Sequence, residues 1–165
     1  LAPRMGRTLV ESAAHTRSQS AVVRSIAKRK NPTQRLADAP HRKPTTWPKI
    51  LGGKVTILAR SSLNGFRTLL VSSGRPISKG STLEFIASTD VTPPFTVYWQ
   101  VVNTGREAAN AKDLRGGFES STTEMGSLWK EEHAGYAGTH TIECFIVKGD
   151  YCVAHSGQFV VDIQR

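Results

Sequence analysis

The sequence predicts a mainly β fold, an immunoglobulin-like antiparallel β-sandwich preceded by a basic N-terminal helix and linker. Three observations predict it. From Lys54 onward, apolar and polar residues alternate over short runs, the period-two signature of strands with one buried face. Turn-forming pairs separate the runs: Asn64-Gly65, Ser73-Gly74, Lys79-Gly80 and Gly149-Asp150. The landmarks also fall in the order of an immunoglobulin-like sandwich. Trp99 lies on a mid-chain strand, Tyr136 stands where a tyrosine corner would sit, and a hairpin closes the chain. The cysteine pair of antibody domains is missing, so these landmarks support the general architecture alone.

Taken in order, residues 7–29 contain neither Gly nor Pro and carry an imperfect apolar stripe (Leu9, Val10, Ala13, Ala14, Val22, Val23, Ile26), which predicts a helix. Asn31-Pro32 ends it, because proline disfavours helical geometry in the residue before it. Residues 37–53 carry Pro40, Pro44 and Pro48 and close on Gly52-Gly53, an extended linker that Trp47 would anchor to the domain behind. The expected division is residues 1–50 as helix and linker, the tail of a preceding domain, and residues 51–165 as the sandwich. Val55, Ile57 and Ala59 form one strand face, and FRTLLV follows the Asn64-Gly65 turn. Leu83, Phe85 and Ala87 form the next face, and Phe95, Val97, Trp99 and Val101 another. Ile142, Cys144 and Ile146 face the same way on one arm of the final hairpin, and Phe159, Val161 and Ile163 on the other. Between Gly105 and Gly135 the alternation breaks. REAANAKDL predicts one or two helical turns, and the rest reads as long loops with aromatic anchors. Loops on a rigid β scaffold are where binding residues collect.

Charge and cysteine content narrow the function. The chain has 165 residues and a net charge of +9. Residues 1–50 hold eleven bases and two acids, while residues 51–165 hold eleven of each. The basic excess therefore belongs to the helix and linker, and nucleic-acid contact is an expectation for residues 1–50 alone. No run of 18 apolar residues exists, so neither a membrane-spanning helix nor a membrane partner is expected. Leu1 in place of an initiator Met reads as the start of a processed or excised piece. Cys144 and Cys152 flank the Gly149-Asp150 turn. A two-residue turn places them on opposite faces and a three-residue turn on the same face, and neither register opposes them directly. Two free thiols and no secretion signal predict a cytoplasmic protein.

The motifs of phosphate-binding loops, dinucleotide folds, nucleophile elbows and zinc proteases are absent. His133 and His140 flank a Gly-Tyr-Ala-Gly loop, but a metal there would need Glu131 or Glu132 as a third ligand. Residues 51–165 contain no DxD-type acidic pair for two-metal chemistry. The reading is a non-enzyme with no cofactor and no metal.

The most distinctive stretch is residues 98–119, YWQVVNTGREAANAKDLRGGFE. Arg115 followed by Gly116-Gly117 suits a phosphate, or a place where backbone approaches a ligand or another chain closely. Trp99, Asn103, Arg115, Tyr136 and His140 are the candidate ligand-binding residues. Each has a structural alternative. Trp99 fits the core, and Asn103 with Gly105 fits a turn. Arg115 could pair with Glu132 or Glu107, Tyr136 could form a tyrosine corner, and His140 could make a structural hydrogen bond.

The string WQVVNTGREA…LRGGFE, followed by Trp129, Glu132, Tyr136, Gly138 and His140 at W-x-x-E-x-x-x-Y-x-G-x-H spacing, resembles the adenylyl/guanylyl cyclase and SMODS C-terminal sensor domain. The terminal hairpin, with Cys152-Val153-Ala154 and Phe159-Val160-Val161, fits as well. The resemblance covers about residues 50–165. It implies an accessory domain behind a nucleotidyltransferase or cyclase of bacterial anti-phage (CBASS-type) signalling, with catalysis in that preceding domain. It further implies that this domain senses a nucleotide-like or other ligand and regulates its partner. Two alternatives stand beside this: a protein-interaction module docking on the parent enzyme or a phage protein, and nucleic-acid contact through residues 1–50.

Overall fold

Among the described residues, the alternating segments pair into ten strands. They are β1 (Val55–Leu63), β2 (Phe66–Leu70), β3 (Ile77–Ser78), β4 (Thr82–Thr89), β5 (Thr96–Val102), β6 (Phe118–Ser120), β7 (Trp129–His133), β8 (Gly138–Lys148), β9 (Tyr151–His155) and β10 (Phe159–Gln164). One short helix, α1 (Arg106–Asn110), lies in the stretch where the alternation breaks. The computed structural model describes residues 39–120 and 128–165; the helix expected over residues 7–29 lies outside them.

The strands form two sheets, one ordered β2-β1-β4-β7 and the other β3-β10-β8-β5-β6, with β9 also paired to β8. Strand pairs are antiparallel except β3 with β10, which run parallel. This is the immunoglobulin-like order that the landmarks predict. The first strand pairs with β4 in one sheet, and the chain then crosses to the other sheet at β3. The apolar faces predicted from alternation are the ones buried: Val55, Ala59, Leu83, Phe85 and Ala87 meet Val97, Trp99, Val101, Ile142, Cys144, Ile146, Val161 and Ile163 between the sheets. Phe85 and Phe159 pack edge to face across this core, ring centres 5.9 Å apart. On the outer face of the smaller sheet, Leu58, Ile86 and Trp129 are cross-strand neighbours and remain exposed.

The closing hairpin turns at Gly149-Asp150, with Lys148 paired to Tyr151 and Gly149 at φ 61°, the left-handed geometry a two-residue hairpin turn demands. The short-turn register therefore holds. Cys144 belongs to the core, whereas Cys152 pairs with Val147 beyond an irregularity in β8. Both are free thiols. Burial pushes Cys144 up to about 12 and raises Cys152 as well, so both stay protonated and unreactive.

β8 is buried on both faces over most of its length, and a second layer covers its outer side. Residues 39–53 run over that face as a strap. Trp47 packs on Tyr98 at 4.4 Å and edge-on to Phe118 at 4.9 Å. Pro48 O accepts from Cys152 N–H at 3.0 Å, Ile50 N–H donates to Cys152 O at 3.0 Å, and Gly52 and Gly53 both donate to Val153 O at 3.1 Å. These contacts continue across residue 50, where the sequence reading placed the domain boundary. The prolines keep the segment extended. Beneath the strap, Glu143, 5% exposed, accepts from Arg42 at 2.6 Å and pairs with His155 Nδ1 at 2.8 Å.

Trp47→Ala removes the strap's aromatic anchor and should lower unfolding stability by about 2–3 kcal/mol, read from the urea midpoint. A loss under about 0.5 kcal/mol would show that the strap rests on the sheet without stabilising it.

Candidate functional site

Where β5 ends and β8 begins, the two sheets part around a cleft of about 260 Å³. Its floor is apolar and comes from both sheets: Leu83 and Phe85 of β4, Val101 of β5, Ile142 of β8, and Val161 and Ile163 of β10. Its rim is polar: Asn103, Asp113, Arg115, Glu132, His133, Tyr136 and His140. A wider groove of about 780 Å³ runs along β2 and residues 74–78, but Arg75 alone brings charge to it. Convergent polar groups over an apolar floor mark the smaller cleft as the candidate site.

Two side chains hold the rim's loops. His140 Nδ1 accepts the Thr104 N–H at 3.3 Å, and Nε2 lies 2.9 Å from the Tyr136 carbonyl. A nitrogen that accepts an N–H carries no proton, so Nε2 is the donor and the ring is neutral. Burial lowers its pKa in the same direction. On the other side of the loop, Glu107 of α1 accepts the Ala137 N–H at 2.9 Å and Lys79 Nζ at 2.8 Å. The Ala137 bond, helped by Lys79, holds the Glu107 carboxyl down at about 2. Gly138 allows the chains to close up, since a methyl group there would lie 2.7 Å from Thr104 O.

Arg115 grips Glu132 with both terminal nitrogens, Nη1 to Oε2 at 2.5 Å and Nη2 to Oε1 at 3.0 Å. It also donates to Glu119. Lys130 donates to Glu119 and lies 3.3 Å from Glu132. Two bases and two acids thus form a neutral cluster. The Glu132 hydrogen bond is the main reason the Arg115 pKa rises. Burial alone would raise the Glu119 carboxyl, but its bonds to Lys130 and Arg115 outweigh that and lower it.

Of the five residues the sequence singled out, Asn103, Arg115, Tyr136 and His140 come together around the cleft. Trp99 does not; it is 2% exposed and packs between the sheets, as its structural alternative held. Arg115 takes Glu132 as its partner, while Glu107 pairs with Lys79 and Arg165. Tyr136 sits at the expected corner, but His140 ties the corner together through the Tyr136 backbone.

The sequence did not reveal the link between this rim and the strap. Gln100 Nε2 donates to both Lys43 O and Gly116 O at 2.8 Å. Lys43 N–H also donates to Gly116 O at 2.9 Å, and His41 Nε2 donates to Asn103 O at 2.8 Å. Gly116 is pressed so close that a methyl group would stand 2.2 Å from the His41 carbonyl oxygen. The Gly116-Gly117 pair signalled a close approach, and its partner is the strap. A glutamine and a glutamate on strands otherwise rich in apolar residues, Gln100 and Glu143, were the remaining signals of a covered outer face.

A protein-family model described as the adenylyl/guanylyl and SMODS C-terminal sensor domain matches residues 37–164. The chain belongs to this family. The sensor-domain match takes in the strap together with both sheets, in keeping with their shared hydrogen bonds. No curated protein matches the chain. The family is a sensor domain of nucleotidyltransferases and cyclases and is not itself catalytic. Among the described residues of this sensor domain, no helix is long and apolar enough to cross a membrane. The expected nucleic-acid contact falls largely on residues outside the described ones, and Arg42 from that basic segment is bound to Glu143.

His140 sets a pH dependence with a definite sign. Folding lowers its pKa from 6.5, so the unfolded chain takes up the proton first. Its stabilising share is full above about pH 6.5 and is lost as pH falls through the lower folded value. The melting temperature of the native chain should therefore drop more between pH 7.5 and pH 5 than that of His140→Gln. Equal drops would show that the ring's hydrogen bonds do not depend on its neutral state.

Proposed function

We propose that the cleft is the ligand-sensing site of a regulatory domain, and that the strap carries its occupancy to the preceding nucleotidyltransferase or cyclase domain. One observation carries this reading. The segment 113–116 lines the cleft through Asp113 and Arg115 and is bonded to the strap through Gly116. A ligand that draws on Asp113 or Arg115 moves a backbone in van der Waals contact with His41. The strap leads towards the N-terminal side, where the resemblance puts the enzyme. The setting is a bacterial anti-phage second-messenger system in the cytoplasm, whose reducing conditions suit two unreactive, unbridged thiols.

A second reading, a module docking on its parent enzyme, draws on the exposed row at Leu58 and Ile86. Binding of a small ligand by this chain alone separates the two, because a docking surface needs its partner.

Calorimetry against a panel of nucleobases, nucleosides and nucleotides tests the site, and hydrogen exchange tests the transmission. A bound ligand should slow amide exchange in residues 113–117 and also in the strap from Lys43 to Gly53. Gly116→Ala, which forces the strap away from the loop, should leave the first effect and remove the second. Protection confined to the cleft would refute the strap as the route, and a panel without binders would refute the site.

A further inference from the structure

The polar groups of the cleft also indicate what kind of molecule it takes, provided that it is a ligand site at all. The one arginine on its rim already has two carboxylate partners. Both terminal nitrogens of Arg115 bond Glu132, and one bonds Glu119 as well. Charge-assisted, two-pronged bonds of this kind are the strong ones. A phosphate taking the two-pronged face of Arg115 would have to displace Glu132, whose side chain is only 15% exposed, and leave two anions facing each other. The charges on the lining are one base, Arg115, against two acids, Asp113 and Glu132, with His140 held neutral by its two backbone partners. The glycine pair meets the strap, with Gly116 O taken by Lys43 and Gln100.

Several polar groups of the lining remain uncommitted. The Asp113 carboxylate, the Tyr136 hydroxyl and the His133 ring make no side-chain hydrogen bond among the described residues. Below them lies a floor of aliphatic and aromatic carbon, suited to the face of a ring. The volume, about 260 Å³, falls just under the roughly 300–1,000 Å³ of pockets that hold drug-sized ligands, so the cleft encloses one compact ring system and not a whole cyclic oligonucleotide.

From this arrangement we infer that the cleft binds a small aromatic ring compound that carries N–H donors and no anionic group, with Asp113 as the acceptor and Tyr136 as a second polar contact. The signal it reads is then distinct in charge and in size from a phosphorylated second messenger.

Matched pairs of probes test this on the full chain by calorimetry: adenosine against adenosine 5′-monophosphate, and tryptamine against indole-3-acetate. The member without the anionic group should bind at least about tenfold more tightly in whichever pair binds. Asp113→Asn should weaken it about tenfold, because a charged acceptor becomes a neutral one. Tyr136→Phe, a milder change, should weaken it less while leaving the fold intact. Glu132→Gln, by loosening the clamp on Arg115, should shift preference towards the anionic member. Tighter binding of the anionic member by the native chain would overturn this inference while leaving the cleft as a ligand site. No binding by any of the four probes would overturn it by a different route, together with the reading of the cleft on which it rests.

Discussion

The cover over β8 is the constraint on which the rest of the structure depends. This strand lies in the middle of the larger sheet and is buried on both faces. One face meets the opposite sheet, and the other would leave Phe145, Val147 and Glu143 largely uncovered without the strap, with His155 alone paired to Glu143. Buried polar groups must be satisfied, and buried charges must be paired. Residues 39–53 meet both demands. Trp47 covers the aromatic face, Arg42 neutralises Glu143, and the backbone supplies a ladder of bonds along Cys152 and Val153. A sandwich of two sheets thereby acquires a partial third layer made from the segment that precedes it.

The same cover shapes the cleft. Gln100 projects from the outer face of β5 and divides its amide between the strap and Gly116. That fixes the loop from which Asp113 and Arg115 approach the rim. His140 and Glu107 fix the opposite loop from inside and outside. The rim is therefore preorganised, with its strongest charges already cancelled, so that selectivity falls to shape and to a few open polar groups. Rigid support on one side and a path to the N-terminal segment on the other are what a regulatory site requires.

How much of this was legible follows from the kind of interaction involved. Strand faces such as Leu83-Phe85-Ala87 and Ile142-Cys144-Ile146 were readable because a half-buried strand writes its burial into a period of two. The tight final hairpin was readable because Gly149 accepts the left-handed turn. Asn103, Arg115, Tyr136 and His140 stood out as polar groups beside glycines at the ends of strands, and those ends gather at one edge of the sandwich. Trp99 was drawn into the same set by its position in the motif, although its place on an alternating apolar face already indicated the core. Trp47 pointed to an anchored linker, and it does pack on Tyr98 and Phe118; the course of the strap was hidden by its prolines, which signal an extended chain equally well whether it spans solvent or lies on a sheet.

Local composition and periodicity determined the strands, their inward faces, the turns between them and the family resemblance, because each is a property of neighbouring residues in the chain. The tertiary structure alone decided that Arg115 is held by Glu132 and Glu119, that His140 is a neutral bridge between two backbones, and that residues 39–53 cover the outer face of the larger sheet. Apart from the four-residue pairs Arg115–Glu119 and His140–Tyr136, these are pairings over 17 to about 100 residues of sequence, and they follow from which side chains meet when two sheets close over a shared core.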